Sequence, residues 1–135
     1  MKNFFFYGSL RTGYWNNLRV LSKDAVRVGD ATTVKPFKLY LGLKGTVPTV
    51  VPGGKTLLHG ELYQLNEKDS QKVFWLESGY ESDEFEVVLD DGTIVNAMIF
   101  HHDSPEDCGY LSKDHVVVAS GDYTKAVKTD GSRIS

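Results

Sequence analysis

Near the start of the chain four aromatic residues follow one another without a break, Phe4-Phe5-Phe6-Tyr7, and the run stops at Gly8-Ser9. Successive side chains of a strand point to opposite faces of its sheet. Both faces need apolar cover, so the segment belongs inside a sheet and not at an open edge. The pattern predicts a central strand over residues 3–7. Gly8 to Gly13, with a glycine at each end, reads as a loop.

The remaining signals mix strands and helices in irregular order. Asn16 or Asn17 is placed to cap a short helix through Leu18 and Leu21 to about Lys23. Residues 26–40 are rich in β-branched and aromatic types but broken by Gly29-Asp30 and Pro36, which predicts two strands and a turn. "TVPTVVPGG", residues 46–54, carries two prolines and reads as loop-like. Leu57 to Leu65 reads as a strand. Asn66 then precedes "EKDSQKVFWLESGY", with acids in the first turn and Gly79 placed to stop it, so a helix is expected over 66–79. Phe85–Leu89 and Thr93–Phe100 flank Asp91-Gly92, a pair suited to a hairpin turn. The tail "TDGSRIS" reads as frayed. Without regular βαβ alternation, the expected class is α+β, a curved and mostly antiparallel sheet with flanking helices. A length of 135 residues suits a single domain, 1–135.

Composition removes several function classes. A net charge of −3 argues against nucleic acid, whose phosphates need a basic face. One cysteine, Cys108, allows neither an internal disulfide nor a Cys-rich zinc site, and fits a reducing, cytoplasmic setting. No apolar stretch approaches the ~20 residues that span a bilayer, so no membrane partner is expected. The start resembles a signal peptide for only five residues before Gly8-Ser9 and Arg11 interrupt it.

One residue stands out. On the 66–79 helix, Asp69, Val73, Leu76, Glu77 and Tyr80 follow spacings of three and four and share a face. Val73, Leu76 and Tyr80 make an apolar stripe, and Glu77 lies on it. A carboxylate there is costly unless paired, and its pKa rises, which suits proton transfer near neutral pH. The alternative is a buried face rotated toward Phe74 and Trp75, with Glu77 on its rim.

Several segments together resemble the γ-glutamylcyclotransferase-like family, including its γ-glutamylamine cyclotransferases. "FYGSL" directly follows the first strand. "GYWNN" looks like the family's Gly-aromatic-x-Asn segment. "VPTVVPGGKTLLHGELYQL" is similar to a family block, with Pro48, Val50, Gly60, Glu61 and Tyr63 in matching places. "WLESGY" resembles the segment holding the family's catalytic glutamate, which here is Glu77. "SGDY", Ser120 to Tyr123, resembles a C-terminal signature. The matches run from about residue 3 to 123 in the family's order. The chain departs from the pattern at Phe74, where an aspartate is common, at Phe85 and Val87, where a Tyr-x-Arg pair is common, and at Val47, where a tyrosine is usual.

The resemblance implies a partial barrel and a reaction without metal or cofactor. The α-amine of a γ-glutamyl amine or peptide attacks its own γ-carbonyl, 5-oxoproline forms, and an amine leaves. Nucleophile and electrophile are tethered, so the protein mainly holds the right conformer. Glu77 is the expected proton shuttle. Tyr7, Gly8, Ser9 and Leu10 are the expected substrate-binding residues, their backbone N–H groups serving as oxyanion donors. The same amides, or Ser9 Oγ, are alternative holders of the substrate α-carboxylate. Tyr123 either lines the pocket or is a core aromatic.

Other chemistry is less well supported. Ser9 lacks the G-x-S-x-G context of a nucleophile. Adjacent His101 and His102 on a strand would point apart, a poor chelate, and His59, His101, His102 and His115 read as surface or loop residues. Glu61 reads as structural or supporting, and Arg11 and Arg19 as solvated. A non-catalytic small-molecule-binding or regulatory domain is the alternative class. Such a module has no need of a lone carboxylate on an apolar stripe.

Overall fold

The computed structural model describes residues 1–42, 46–109, 111 and 115–134. In chain order the elements are β1 (Lys2–Phe6), α1 (Trp15–Val20), β2 (Val26–Gly42), β3 (Pro48–Leu65), α2 (Glu67–Leu76), β4 (Glu81–Leu89), β5 (Ile94–His101) and β6 (His115–Val117), with short 3-10 turns at Pro105–Asp107 and Tyr123–Lys125. The sheet order is β3-β1-β5-β4-β2-β6, and β3 also pairs with β2. Five strands therefore close into a ring, and β6 lies outside it along the far part of β2. The expected class, α+β with a curved and mostly antiparallel barrel-like sheet, is the one observed. Among the described residues the single parallel contact joins β1 to β5 through Phe4 and Met98.

The aromatic run is buried on both faces, as a central strand would be. β1 lies between β3 and β5. Phe5 and Tyr7 join a buried cluster with Phe37, Leu58, Val87 and Ile99. Because all five ring strands contribute to that cluster, it is the barrel interior. Phe4 and Phe6 join a second cluster with Leu65, Val73 and Phe100, where α2 packs on the outside. One strand thus serves two cores. Gly60 makes the close approach possible: a Cβ there would lie 2.4 Å from the Phe6 carbonyl oxygen and 2.7 Å from the Phe5 ring.

Several sequence expectations need correction. Residues 26–42 form one strand, not two. Gly29 and Pro36 mark register shifts against β3, after Arg27 and after Thr32, so the breaks bend the strand without ending it. The proline-rich stretch expected as loop is the first half of β3. Pro48 is its first residue, and Pro52 pairs with Phe37 beside a register shift, two places where a strand tolerates a missing N–H. α1 starts at Trp15 with Tyr14 at the cap position, so Asn16 and Asn17 lie inside its first turn. α2 has the Asn66 cap as expected, its side chain accepting from the Asp69 N–H, but ends at Leu76. Gly79, with φ +99°, belongs to the following turn. The tail is not frayed over its described part: the Lys128 N–H bonds to the Ser132 carbonyl, and Val127 bridges to Arg133.

Candidate active site

The loop after β1 is held through its carbonyls. Gly8 O accepts from the Arg11 N–H at 3.0 Å, Ser9 O from the Asn17 N–H at 3.1 Å, and Leu10 O from Asn17 Nδ2 at 2.8 Å. The loop is also tied to β3. Glu61 Oε1 accepts from the Thr12 N–H at 2.6 Å while its Oε2 accepts from Arg27 Nε at 2.8 Å. The Tyr63 hydroxyl meets Thr12 Oγ1 and Asn17 Nδ2. Arg11 reaches Asp122 at 2.9 Å from the other side. By contrast, the N–H groups of Gly8, Ser9 and Leu10 find no acceptor among the described residues. The loop's acceptors are used and its donors are left over, the condition for a backbone anion site.

Glu77 caps the C-terminal end of α2. With its neighbours Leu76 and Tyr80 it lines a cavity of about 220 Å³, whose wall also includes Tyr7, Gly8, Ser9 and Leu10. Burial raises the Glu77 carboxyl from its ordinary 4.5 to about 7. The apolar stripe does not rotate toward Trp75, which is 80 % exposed, whereas Val73 is fully buried. The turn after Glu77 is pinned. Tyr80 Oη donates to the Pro48 carbonyl at 2.7 Å, and the Tyr80 ring rests 4.2 Å from the His102 ring. His102 accepts from Thr49 Oγ1 at Nδ1 and donates from Nε2 to the Gly79 carbonyl. Tyr7 Oη donates to the Phe100 carbonyl at 2.8 Å, and burial, chiefly, with the nearby Glu77 charge, raises its pKa.

The structure thus brings Glu77 and residues 7–10 to one cavity. It does not bring Tyr123, which is fully buried against Tyr14 with its hydroxyl donating to the Thr46 carbonyl at 2.6 Å. Tyr123 is absent from the cavity wall and is a core aromatic. His101 and His102 are buried, not surface residues, because strand β5 and the residue after it run into the packed end of the barrel; His101 bonds Asp83 at 2.8 Å. Arg11 is largely buried in its pair with Asp122, not solvated.

Sequence reasoning missed Trp15, Asn16, Pro48, Tyr80 and Phe100 as cavity-lining residues. The "GYWNN" segment carried a signal for the first two. The departing positions have apolar roles. Phe74 packs edge-on against Phe4 and Phe100, Phe85 packs edge-on against Phe37, and Val87 is fully buried. Among the described residues no three His, Cys, Asp or Glu side chains converge as a metal site.

Comparison with known proteins gives these features a family. Residues 4–125 match the family described as gamma-glutamyl cyclotransferase, AIG2-like. The chain belongs to this family. A Methanocaldococcus jannaschii protein, provisionally named a gamma-glutamylcyclotransferase, is 32% identical over 127 residues, which cover 91% of this chain and 96% of that protein. Among solved structures, an AIG2-like protein from Mus musculus superposes with a TM-score of 0.69 at 21% identity, over 84% of this chain and 80% of that one. A Pyrococcus horikoshii protein superposes with a TM-score of 0.65 at 21% identity, over 91% and 90%. These two likenesses concern the fold, and the family's barrel is the one described above.

Proposed function

We propose that the protein is a γ-glutamyl cyclotransferase, releasing 5-oxoproline and a free amine from a γ-glutamyl amine or peptide. The family, and the name of the Methanocaldococcus relative, support activity of this type. The observation that carries the reading for this chain is one cavity lined both by Glu77, whose carboxyl is raised to about 7, and by Gly8 to Leu10, whose N–H groups find no acceptor among the described residues.

The arrangement meets the three needs of the reaction. Ionised Glu77 takes a proton from the substrate α-ammonium, freeing the amine lone pair. That nitrogen attacks the γ-carbonyl carbon, a C–N bond forms, and negative charge moves to the carbonyl oxygen. Amides of the Gly8–Leu10 segment stabilise that oxygen by hydrogen bonds that do not have to be reorganised first. The tetrahedral centre collapses, the original C–N bond breaks, and protonated Glu77 gives its proton to the departing nitrogen. The second proton left on the ring nitrogen passes to the departing amine through solvent, so the amine ends as its ammonium ion and Glu77 ends ionised as it began. A carboxyl near 7 suits both halves of this cycle, because neither giving nor accepting the proton is strongly uphill.

Incubating the protein with γ-glutamyl amines and dipeptides, with mass-spectrometric detection of 5-oxoproline and of the amine, tests the proposal. Equimolar appearance of both products from at least one compound is expected. Tight binding of such compounds without turnover would instead favour a binding or regulatory domain.

A further inference from the structure

We infer that His102 is a positioning residue for Glu77: its imidazole ties the turn that follows Glu77 to the start of β3, and so fixes where the carboxyl stands in the cavity. The catalytic meaning of this placement rests on the cyclotransferase reading. The Glu77 carboxyl bonds to no side chain or backbone group among the described residues. Its place is therefore set by its backbone, at the C-terminal end of α2. That backbone runs directly into the turn, and the Glu77 carbonyl accepts from the Tyr80 N–H at 3.0 Å. Two side-chain bonds tie the turn to the barrel. Tyr80 Oη donates to the Pro48 carbonyl at 2.7 Å, and His102 Nε2 donates to the Gly79 carbonyl at 3.2 Å. A displacement of Gly79 and Tyr80 is thus passed on to Glu77.

His102 has the chemistry of an anchor. It is buried and absent from the cavity wall, so it acts through what it touches. Its own N–H donates to the Val50 carbonyl at 3.0 Å, which fixes its backbone to β3. Its Nδ1 meets the fully buried Thr49 hydroxyl. A carbonyl can only accept, so the Gly79 contact requires the ring proton on Nε2. In a neutral ring Nδ1 is then bare and accepts from Thr49. Burial holds the His102 pKa below its ordinary value, against the pull of the Gly79 carbonyl, which keeps the ring neutral near pH 7. Both ring nitrogens are therefore spent, one on each of the two segments being joined. The ring also rests 4.2 Å from that of Tyr80, the other residue that ties the turn down. The adjacent His101 bonds Asp83 and takes no part.

The test uses three variants of the whole chain, assayed per native molecule on one γ-glutamyl substrate. Glutamine returns a donor near the place of Nε2, asparagine an acceptor near that of Nδ1, and leucine bulk without either. The expected kcat is within ~3-fold of wild type for His102→Gln but ~10–10²-fold lower for His102→Asn and His102→Leu, with KM changed less than ~2-fold, because the loop amides are untouched. Titration of the Glu77 carboxyl by carbon NMR gives a readout apart from turnover. Its midpoint should stay near 7 in wild type and His102→Gln, and fall toward 4.5 in the other two as the loosened turn admits water. Equal losses in all three variants, or a wild-type kcat and midpoint in His102→Leu, would overturn the inference. If no compound is turned over but the midpoint moves in this pattern, the positioning stands and the proposed reaction falls. Should the variants fail to fold, the wild-type protein decides. Nitrogen NMR should find the His102 ring neutral at pH 7 with its proton on Nε2, and a proton on Nδ1 instead would overturn the anchor, since the Gly79 carbonyl cannot accept from a bare nitrogen.

Discussion

In the proposed reaction the chemistry turns on Glu77, and its substitution gives a sharp expectation. Glu77→Gln keeps the shape but cannot carry a proton, so turnover should fall by ~10²–10⁴-fold. Ser9→Ala, assayed on the same substrate, should cost much less, since it leaves the loop amides in place. A dead Ser9→Ala beside an active Glu77→Gln would demand a nucleophilic serine mechanism instead. The raised pKa adds two dependences on pH. Glu77 must be ionised to accept the substrate's proton, so kcat/KM should decline on the acid side with a midpoint near 7. Stability moves the other way. Between its unfolded value near 4.5 and its folded value near 7, the native state binds more protons than the unfolded chain. The native state is therefore favoured below 4.5 and loses that advantage as pH rises through 7, by up to ~3 kcal/mol. Melting curves of wild type and Glu77→Gln should nearly coincide at pH 4.5, with the variant more stable at pH 8. A constant difference across that range would mean that the carboxyl is solvated.

At the scale of elements, the strand and the helix that frame the cavity were legible because their patterns are local. The aromatic run of Phe4 to Tyr7, the Asn66 cap and the Asp91-Gly92 turn each state their structure within a few residues. The long β2–β3 pair was not legible. Pro36, Pro48, Pro52 and Gly29 look like breaks until the partner strand shows that each sits at a strand start or beside a register shift. The same limit applies to side chains. Tyr123 looked like a pocket residue because its segment fits a family signature, yet burial is decided by long-range packing against Tyr14. Asn17 gave no hint that it would hold both the Leu10 carbonyl and Tyr63. Gly60 supplies the prediction at this scale. Gly60→Ala would force a methyl group into the Phe6 carbonyl and the Phe5 ring, prying β1 from β3, at a cost of ~3 kcal/mol. Because the loop amides follow directly after β1, activity should fall more steeply than the loss of folded protein accounts for, measured as kcat per native molecule by circular dichroism.

For the whole molecule, the order of pairing separates what forms easily from what forms last. β2 and β3 are neighbours in the chain and β4 and β5 make a hairpin, so both pairs close short loops. β1 must find β3 near residue 63 and β5 near residue 98, at far greater separation. Such contacts are slow to form because chain entropy is lost before they reward it. In refolding followed by stopped flow, recovery of catalytic activity should therefore coincide with the slowest structural phase. Activity preceding full burial of the aromatic run would contradict this order.

The position of β1 has a further consequence. In the proposed mechanism the loop after the strand that completes the ring supplies the oxyanion donors, while the proton carrier, Glu77, follows α2 in a separate stretch of chain. The proposed catalytic apparatus is thus divided into two complementary pieces. If the chain is cut between α1 and β2, a peptide spanning β1 to α1 and the remaining polypeptide should each be inert. Mixing them should restore 5-oxoproline release along a saturable curve, so that turnover counts the strands that have been seated.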